Sequence, residues 1–528
     1  METGIKSWDN YKSTDKQLYD YLIANKKVPL EALNAALMET QVNKEPLNNI
    51  LVRNGFITQN EIIDVMIEIE PEYLVDEEVI IPTIDPELLK KLQVMIHAVT
   101  SKHVYMATMK SENEARDNLV KYFPEHDIQF IPCNPEKLDS YLEKSTSIFH
   151  DEGSLVEKII RKAIQSNVSD IHIMPHYDTY SILYRHLGVR YVEAVSHKEE
   201  YLSLVARIKD LAKIDMTEKR LPQDGGFPID YNGRMVDLRV ATVPTAEGEV
   251  VVIRILDPEK AQFSLEKLGI TNIQDWRKGA GRADGLCLIC GPTGSGKTTT
   301  LNSTLRELDR FGKSIYTVED PVEYRIPYIG QVTINSAIGL DFARAVKAFM
   351  RSDPDVIVIG EIRDAETARN AIKAAETGHL VFATLHTGSI PGAVNRLRDL
   401  GVEAHELKYV LRSVMAQRLM RIVCSVCKGH GCEVCFQKGY SGRTVVSEIK
   451  YFSNMKEVLG IIASKEKDID ITWKTIQEDA FSKVESGLST PFEFIRTFGA
   501  EAQEMLENAG YDLSKINDKG IYVEWVTL

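Results

Sequence analysis

The sequence predicts an α/β fold for the carboxyl-terminal half of the chain, preceded by an α+β unit and a mixed helical and α+β region. After about residue 265, short apolar strands alternate with helices, which is the pattern of a mostly parallel sheet. Between about residues 150 and 260, several strand runs follow one amphipathic helix, which is the pattern of an antiparallel sheet. The length of 528 residues is enough for three or four domains.

The composition is ordinary for a soluble globular protein, with 44% apolar and 27% charged residues. The net charge is −14, and residues 1–150, with 15 basic and 25 acidic side chains, account for −10 of it. Because the chain has no basic tract, we expect no nucleic-acid partner. The chain start shows no targeting signal, and no apolar run reaches the ~18 residues of a membrane span, so we expect a cytoplasmic protein.

Residues 1–145 are predicted to form an amino-terminal regulatory or docking domain. Residues 30–37 have apolar side chains at helical spacing, and residues 58–61 have the pattern of a capping box before another helix. Three prolines interrupt the acidic stretch 68–87, which we interpret as a linker. Strands are predicted at residues 102–106 and 128–131, with a helix at residues 111–122 between them.

Residues 150–260 are predicted to form the α+β domain. Its helix is expected at residues 155–166, and its strand runs at residues 169–173, 180–185, 236–243 and 249–256. Residues 265–500 follow as the α/β domain, which includes a four-cysteine element at residues 424–435. Residues 501–528 are predicted to be a carboxyl-terminal extension.

A glycine-rich segment lies between a predicted strand at residues 286–290 and a predicted helix at residues 299–308. Its residues fit G-x-x-x-x-G-K-[ST] and are Gly291, Pro292, Thr293, Gly294, Ser295, Gly296, Lys297 and Thr298. Glycines let backbone N–H groups turn toward phosphate oxygens, and the helix N-terminus favours negative charge. Lys297 can reach the β- and γ-phosphates, and Thr298 can offer its hydroxyl to Mg²⁺. We therefore expect ATP and Mg²⁺ as cofactors.

Cys287 and Cys290 form a C-x-x-C pair on the strand that precedes this segment. Side chains three residues apart on a strand point to opposite faces of the sheet. We therefore predict two small buried core residues rather than a redox or metal pair.

Three further strand ends carry polar side chains. Glu319 ends the strand at residues 314–318 with Glu323 just beyond it, Glu361 follows residues 355–359, and His386 follows residues 380–385. The carboxyl ends of parallel strands meet at one edge of a sheet, where ligands bind, so these groups should lie near the glycine-rich segment. A carboxylate there can hold Mg²⁺ through water or orient the attacking water, and a histidine can contact the γ-phosphate.

These segments resemble the Walker A, aspartate-box, Walker B and histidine-box motifs of the secretion ATPases that power type II secretion and type IV pilus assembly. Residues 169–173 (SDIHI), 218–225 (EKRLPQDG), 236–240 (VDLRV) and 416–419 (AQRL) are similar to other strings of that family. The resemblance covers about residues 150–500. It implies a PAS-like domain followed by a RecA-like ATPase domain, assembled as a homo-hexameric ring. It also implies catalytic roles for Lys297, Thr298, Glu319, Glu323, Glu361 and His386.

In the family, arginines of the PAS-like domain approach the nucleotide and neutralise charge on the transferred phosphoryl group. The positions that match are Arg220, Arg234, Arg239 and Arg254. The family commonly has arginine directly after the QDG string, but this chain has Gly226 there. That particular contact is therefore not expected here.

Two C-x-x-C pairs lie four residues apart, at Cys424, Cys427, Cys432 and Cys435. Two thiolates from each turn suit tetrahedral Zn²⁺, and two such pairs close a structural site. The alternative is four reduced free thiols, and His430 could compete as a ligand. The resembling motors carry a similar element with a longer segment between the pairs.

The amino-terminal segment 44–57 is similar to part of the first domain of these ATPases. Some members bind cyclic di-GMP there through an Arg-Leu-Gly opening, whereas this chain has Pro46, Leu47 and Asn48. Without the arginine a dianionic dinucleotide loses its main contact. We expect a docking domain for an inner-membrane partner rather than a nucleotide sensor.

The function predicted from these features is an ATP-hydrolysing motor for type IV pilus assembly at the cytoplasmic face of the inner membrane. Its expected partners are an inner-membrane platform protein and other components of the pilus or secretion machinery, so membrane association would be peripheral. A type II secretion ATPase is the alternative within the same class. A nucleic-acid translocase and a non-catalytic nucleotide-binding regulator are the alternatives from other classes, and the net charge and the intact motifs argue against them.

Overall fold

A computed structural model describes residues 13–43, 45–69, 84, 86–99, 103–123, 126–133, 135–150, 155–231, 234–257, 264–463 and 471–515. The chain divides into two compact units. The first comprises residues 1–260 with 431–438, and the second comprises residues 261–430 with 439–528. Within the described parts of the chain, every helix is too short or too polar to span a bilayer.

The first unit opens with four helices, which are α1 (Ser13–Ala24), α2 (Leu30–Asn43), α3 (Leu47–Arg53) and α4 (Gln59–Ile69). The predicted helix at residues 30–37 is confirmed as part of α2. The predicted capping box is also present, because the Thr58 N–H donates to Glu61 Oε2 at 3.0 Å and the Glu61 N–H donates to Thr58 Oγ1 at 3.3 Å. Most of the acidic stretch 68–87 lies outside the described residues, so the linker stays a prediction.

A small α/β layer follows the four helices. Its elements are α5 (Pro86–Leu92), β1 (Val94–Val99), β2 (His103–Thr108), α6 (Glu112–Leu119), β3 (Asp127–Phe130) and α7 (Pro135–His150). The sheet has the order β1-β2-β3, with β1 antiparallel and β3 parallel to β2. The predicted strands at residues 102–106 and 128–131 correspond to β2 and β3, while β1 was not predicted.

The α+β part of the first unit is a six-stranded antiparallel sheet with two helices. Its elements are α8 (Leu155–Gln165), β4 (Val168–Pro175), β5 (Thr179–His186), β6 (Val189–His197), α9 (Lys198–Leu211), β7 (Gln223–Tyr231), β8 (Arg234–Thr245) and β9 (Gly248–Leu256). The strand order is β6-β5-β4-β9-β8-β7. Alternate residues such as Ile171, Val240 and Ile253 form a core with the helices. The intervening residues face away from that core, and Arg239 and Arg254 are among them.

The second unit is an α/β domain, as predicted. Its strands are β10 (Gly285–Cys290), β11 (Ile315–Glu319), β12 (Gly330–Thr333), β13 (Val356–Ile359), β14 (Leu380–Leu385), β15 (Leu411–Val423) and β16 (Tyr440–Tyr451). Its helices are α10 (Ile273–Ala280), α11 (Lys297–Glu307), α12 (Phe342–Phe349), α13 (Ala365–Glu376), α14 (Ile390–Asp399), α15 (Ala404–Val410), α16 (Met455–Ala463), α17 (Ile476–Glu485), α18 (Pro491–Phe498) and α19 (Ala500–Asn508).

The seven strands of the second unit form one sheet in the order β12-β11-β13-β14-β10-β15-β16. All neighbours are parallel except β15 and β16, which are antiparallel. One cluster of buried side chains joins α17, α18 and α19 to Met420 of β15 and Val446 of β16. The predicted extension at residues 501–528 thus begins inside α19, and residues 516–528 lie outside the described chain.

The central strand β10 is buried along its whole length and has a separate core on each side. Cys290 belongs to the core on one face of the sheet and Cys287 to the core on the other. Burial raises the pKa of each thiol to about 12. The interpretation of this pair as small core residues is therefore confirmed.

Candidate functional site

The glycine-rich segment forms a tight loop between β10 and α11. Gly291, Gly294 and Gly296 have φ values of 151°, 79° and 87°. A Cβ atom at Gly291 would lie 2.4 Å from the carbonyl oxygen of Gln417, so that position has no room for a side chain. Gly296 is the N-cap of α11 and offers no side-chain acceptor, which leaves the first N–H groups of the helix available to an anion. The helix begins at Lys297, two residues before the predicted start.

A buried glutamine on β15 supports the loop from the side. Gln417 is fully buried, and its Nε2 donates to the carbonyl oxygen of Ser295 at 2.8 Å. The Ser295 hydroxyl oxygen is buried and has no hydrogen-bond partner within the described chain. A buried polar atom without a partner inside a loop of this shape fits a phosphate oxygen as its missing partner. Gln417 was part of the 416–419 string but was not assigned to the site.

The side chain of Lys297 is folded back onto its own loop. Its Nζ donates to the carbonyl oxygens of Gly291 at 2.8 Å and Pro292 at 3.1 Å. Burial lowers the pKa of Lys297, and the nearby negative charge of Glu361 opposes that shift. Thr298 is exposed beside it, so its hydroxyl is open to a ligand.

Glu361 lies just beyond the end of β13 and is held from two sides. His386 Nε2, which follows β14, lies 3.1 Å from Glu361 Oε1, and Arg363 Nε donates to Glu361 Oε2 at 2.6 Å. Arg363 also reaches Asp320, with 3.2 Å between Nη1 and Oδ2. The predicted meeting of the β13 and β14 ends is therefore confirmed. Arg363 and Asp320 were not predicted as site residues, although each lies within two residues of a predicted carboxylate.

Glu319, at the end of β11, is a largely buried carboxylate. Its Oε1 accepts hydrogen bonds from Thr317 Oγ1 at 2.7 Å and from Gln331 Nε2 at 3.1 Å. Burial raises its pKa, the two hydrogen bonds oppose the shift, and the charge of Glu323 adds to it. Gln331 also donates to the carbonyl oxygen of Tyr324 at 3.0 Å, so it fixes the loop that carries Glu323. Gln331 was not predicted, and its position after Gly330 on a short edge strand gives no local signal.

These groups lie at the carboxyl edge of one sheet. The loop after β10 offers backbone donors and the ammonium of Lys297, while the ends of β11, β13 and β14 offer Glu319, Glu361 and His386. Cationic and N–H groups suit polyphosphate oxygens, and carboxylates suit Mg²⁺ and an attacking water. The arrangement has the parts that phosphoryl transfer needs.

Three of the four predicted arginines can be placed within the first unit. Arg254 and Arg239 face each other across β9 and β8, and Asp170 of β4 holds Arg254 with 2.9 Å between Oδ1 and Nε. Arg220 lies in the loop before β7, where its side chain is 89% exposed. The side chain of Arg234 lies outside the described residues.

Gly226 of β7 pairs with Arg239 of β8, so the row across the sheet ends in a glycine. A Cβ atom at Gly226 would lie 2.6 Å from the carbonyl oxygen of Leu238. An arginine at this position would require the backbone to shift, which agrees with its absence from the sequence.

Residues 151–506 match the family described as Type II/IV secretion system protein. The chain belongs to this family. Together with the phosphate-binding loop and the carboxylates at the sheet edge, membership of this secretion family identifies the chain as an ATPase.

Individual members of the secretion family align over most of the chain. The chain is 41% identical over 398 residues to the type II secretion system ATPase E of Vibrio cholerae, which covers 69% of this chain and 78% of the relative. It is 40% identical over 360 residues to the type II secretion system protein HxcR of Pseudomonas aeruginosa, covering 65% of this chain and 76% of the relative. The solved ATPase DotB of Legionella pneumophila is 20% identical with a TM-score of 0.51, covering 65% of this chain and 94% of that one. That likeness concerns the fold alone.

The secretion-family chain also has four sulfur atoms gathered in one short segment. The Sγ atoms of Cys424, Cys427, Cys432 and Cys435 all lie within 4.8 Å of one another. Cys432 Sγ and Cys435 Sγ are 3.7 Å apart, close to the roughly 3.8 Å expected for ligands 2.3 Å from a tetrahedral zinc. His430 is exposed and is not among the four. The thiol set therefore fits a closed structural zinc site.

Proposed function

We propose that this chain is an ATP-hydrolysing motor that, as a homo-hexamer, drives the assembly of a polymer of pilin-like subunits at the cytoplasmic face of the inner membrane. The observation that supports this most strongly is the convergence of Lys297, Glu319, Glu361 and His386 at one sheet edge in a member of the secretion family. An amino-terminal domain that docks on an inner-membrane platform protein completes the proposal.

Each side chain has a role that follows from its contacts. Lys297 exchanges the two carbonyl oxygens of its own loop for the β- and γ-phosphates of ATP. Glu361 exchanges Arg363 or His386 for the attacking water, and both of those residues then lie beside the transferred phosphoryl group. Glu319 keeps Oε1 on Thr317 and Gln331, which leaves Oε2 as the oxygen for Mg²⁺ or water. Thr298 and the carboxylates would hold Mg²⁺, which neutralises developing charge when bound.

The arginines of the first unit complete the site in the assembled ring. Arg220, Arg239 and Arg254 approach the nucleotide of a neighbouring copy and stabilise the charge on the phosphoryl group. The exposure of Arg220 supports this role, since its side chain is 89% exposed and its Nη2 lies 3.5 Å from Glu218 Oε2 of the same loop. Arg234 belongs to the same proposed set.

Zinc at the four cysteines is part of the proposal. Cys424 and Cys435 are buried and the other two thiols are half-buried, which is the setting of a structural site closed to water. The metal would stabilise the fold of residues 424–435 and take no part in hydrolysis.

The machine that this motor serves has two candidate forms. The curated relatives carry the names of type II secretion proteins, and this favours the type II secretion form for this chain. Type IV pilus assembly, which the sequence favours, requires the same work of raising pilin-like subunits out of the membrane and is the second candidate.

The test uses Lys297→Ala and Glu361→Ala in the native cell, with Lys347→Ala as a control, since Lys347 is exposed and pairs with Glu366 on the surface. Loss of secreted enzymes with surface pili intact supports the type II secretion form, and loss of pili supports the pilus form. The proposal would be refuted if cells that contain normal amounts of an inactive ATPase keep both secretion and pili. Strong stimulation of the purified ATPase by single-stranded DNA would instead support a translocase.

A further inference from the structure

The loop between α9 and β7 is exposed yet tightly fixed. Met216, Arg220 and Leu221 are exposed at its tip, with 52% exposure for Met216 and 61% for Leu221. Within the loop, Asp215 Oδ1 accepts from the N–H of Thr217 at 2.8 Å, and Glu218 Oε1 accepts from the N–H of Arg220 at 2.6 Å. The backbone that carries Arg220 is therefore held in one conformation although its side chain faces solvent.

A buried lysine anchors this loop from below. Lys209, in the last turn of α9, is 1% exposed. Its Nζ lies 2.6 Å from Glu249 Oε1 and donates to the carbonyl oxygens of Glu218 at 2.7 Å and Asp215 at 3.4 Å. Two donors of the ammonium group end on the loop, and the contact with Glu249 is an ion pair.

A glutamine of β7 repeats these contacts from the other side. Gln223 Nε2 donates to the carbonyl oxygens of Asp215 at 3.1 Å and Glu218 at 3.0 Å, and Gln223 Oε1 accepts from the N–H of Asp215 at 3.1 Å. The same two carbonyl oxygens are thus held by both Lys209 and Gln223. The loop cannot slide along the sheet without breaking all of these bonds.

The buried ion pair is an expensive way to join a helix to a sheet. Desolvating an ammonium and a carboxylate costs several kcal/mol for each ion, and an apolar pair of similar volume commonly gives equal or greater stability. Glu249 is 7% exposed, so both charges are out of water. An apolar pair could supply the packing of α9 on the sheet, but it could not hold the two loop carbonyl oxygens.

We infer that Lys209, together with Gln223, is a positioning residue for Arg220, and fixes where that guanidinium meets the phosphates of a nucleotide on a second copy of this chain. The inference rests on the proposed function, in which Arg220 acts across the subunit boundary. Lys209 itself touches neither nucleotide nor reacting atoms. Its contribution is preorganisation, because a displacement of about 1 Å in a charged group can cost a factor of about 100 in rate.

The experiment compares four variants of the full-length chain. Lys209→Met with Glu249→Leu removes the ion pair as a unit, and Gln223→Leu removes the second anchor. Arg220→Ala removes the guanidinium itself. Lys198→Ala with Glu247→Ala is the matched control, since this pair also joins α9 to the β8–β9 turn but is exposed, with 3.5 Å between Nζ and Oε2.

The expected result is a fall in kcat with an unchanged KM for MgATP. Arg220→Ala should lower kcat about 100-fold, and the buried-pair variant and Gln223→Leu should each lower it about 10-fold. The thermal unfolding temperature of the buried-pair variant should stay near that of the native chain, because both charges leave together. In an Arg220→Ala background, neither anchor variant should lower kcat further.

The outcomes separate the inference from the proposed function. If Arg220→Ala leaves kcat unchanged, the role of Arg220 in the proposed function is wrong and the inference falls with it. If Arg220→Ala lowers kcat but a folded buried-pair variant does not, the inference alone is overturned. Additive losses in the Arg220→Ala background would likewise overturn it. Should the buried-pair variant fail to fold, Gln223→Leu decides by the same criteria.

Discussion

Lys297 and Glu361 lie at the same sheet edge, but their contacts assign them to different steps. The ammonium group of Lys297 donates to carbonyl oxygens of its own loop, and the phosphates of a ligand would replace these acceptors. Glu361 is instead held by His386 and Arg363. We expect Lys297→Ala to weaken nucleotide binding and lower turnover about 100-fold or more. Glu361→Ala should lower turnover as strongly while nucleotide stays bound.

Two measurements on each purified variant check this assignment: the affinity for a fluorescent ATP analogue and the rate of phosphate release. Lys347→Ala is the control, because its pair with Glu366 lies on the surface. Equal loss of nucleotide affinity in the Lys297 and Glu361 variants would contradict the separate roles.

Glu493 of α18 is fully buried between two arginines. Arg421 of β15 lies 2.7 Å from Glu493 Oε2 and Arg496 lies 2.6 Å from Glu493 Oε1. Burial acts to raise the pKa of Glu493, but the hydrogen bonds and charges of Arg496 and Arg421 outweigh it, and the pKa lies below its ordinary value. The carboxylate therefore contributes stability above the pKa of about 4.3 of an unfolded glutamate, and this is lost as the pH falls through the lower folded value.

Glu493→Gln should destabilise the second unit by about 3 kcal/mol at neutral pH, because Arg421 is left buried without its charge partner. The difference from the native chain should shrink as the pH falls below about 4. Glu366→Gln, which breaks an exposed ion pair, should change stability by about 0–1 kcal/mol. Denaturant unfolding at a series of pH values measures the stability of the native chain and of both variants. A Glu493→Gln chain as stable as the native one would disprove the argument.

Site residues could be predicted from the sequence when the neighbouring residues also indicated their place in the fold. Lys297, Glu361 and His386 each follow an apolar strand or a glycine-rich loop, so their chemistry and their place in the fold are written in the same few residues. Gln331 is twelve residues from Glu319, and Gln417 is 122 residues from Ser295. Lys209 lies four residues after Val205 on the buried side of α9, but a lysine is ordinarily expected in solvent. Such long-range contacts depend on packing that no local pattern encodes.

The two cysteine knuckles lie between β15 and β16. We expect one zinc per chain, bound by Cys424, Cys427, Cys432 and Cys435. Replacement of any one by serine leaves an incomplete ligand set and should abolish stoichiometric zinc and loosen residues 424–439, since binding energy there is folding energy. Nucleotide affinity should change less than about twofold, because no cysteine of the set reaches the phosphate-binding loop.

Metal analysis and hydrogen exchange on Cys432→Ser test the knuckles, with Cys133→Ser as the control because Cys133 is a half-buried cysteine outside the cluster. Well under half a zinc per chain in native protein never exposed to chelator would show that the short spacing does not support the site. In that case the four side chains are reduced thiols.

Elements with a strong period or a sharp boundary were predicted well. The strands that end at Glu319, before Glu361 and before His386 are confirmed as β11, β13 and β14, and the antiparallel sheet of the first unit is confirmed. The edge strands β12 and β6 were not predicted: β12 has only four residues, and the side chains of β6 are half-buried or exposed. The order of strands within each sheet depends on crossovers, which a single sequence does not show.

In the proposed function, arginines from a second chain complete the site, so oligomerisation becomes a condition for activity. We expect the ATPase rate per chain to rise with protein concentration and to level off when the ring has formed. A sharper test mixes Lys297→Ala with Arg220→Ala chains. The first keeps Arg220 and the second keeps an intact phosphate-binding loop, so a mixed ring should recover part of the lost activity.

Light scattering alongside the rate measurement shows whether activity follows assembly. A constant rate per chain from a confirmed monomer would contradict the requirement. Mixed chains that assemble without any recovery would show instead that Arg220 serves the nucleotide of its own chain.

The β15–β16 hairpin has a mechanical consequence for the molecule. Gln417 of β15 touches the phosphate-binding loop, and the strand continues for six more residues to Val423, directly before the first cysteine. Paired with β16 along this length, it forms a two-stranded arm of roughly 20 Å. A tilt of about 10° at Gln417 would move the far end by roughly 3–4 Å. The hairpin thus connects the phosphate-binding loop, through Gln417, with the cysteine knuckles at its far end.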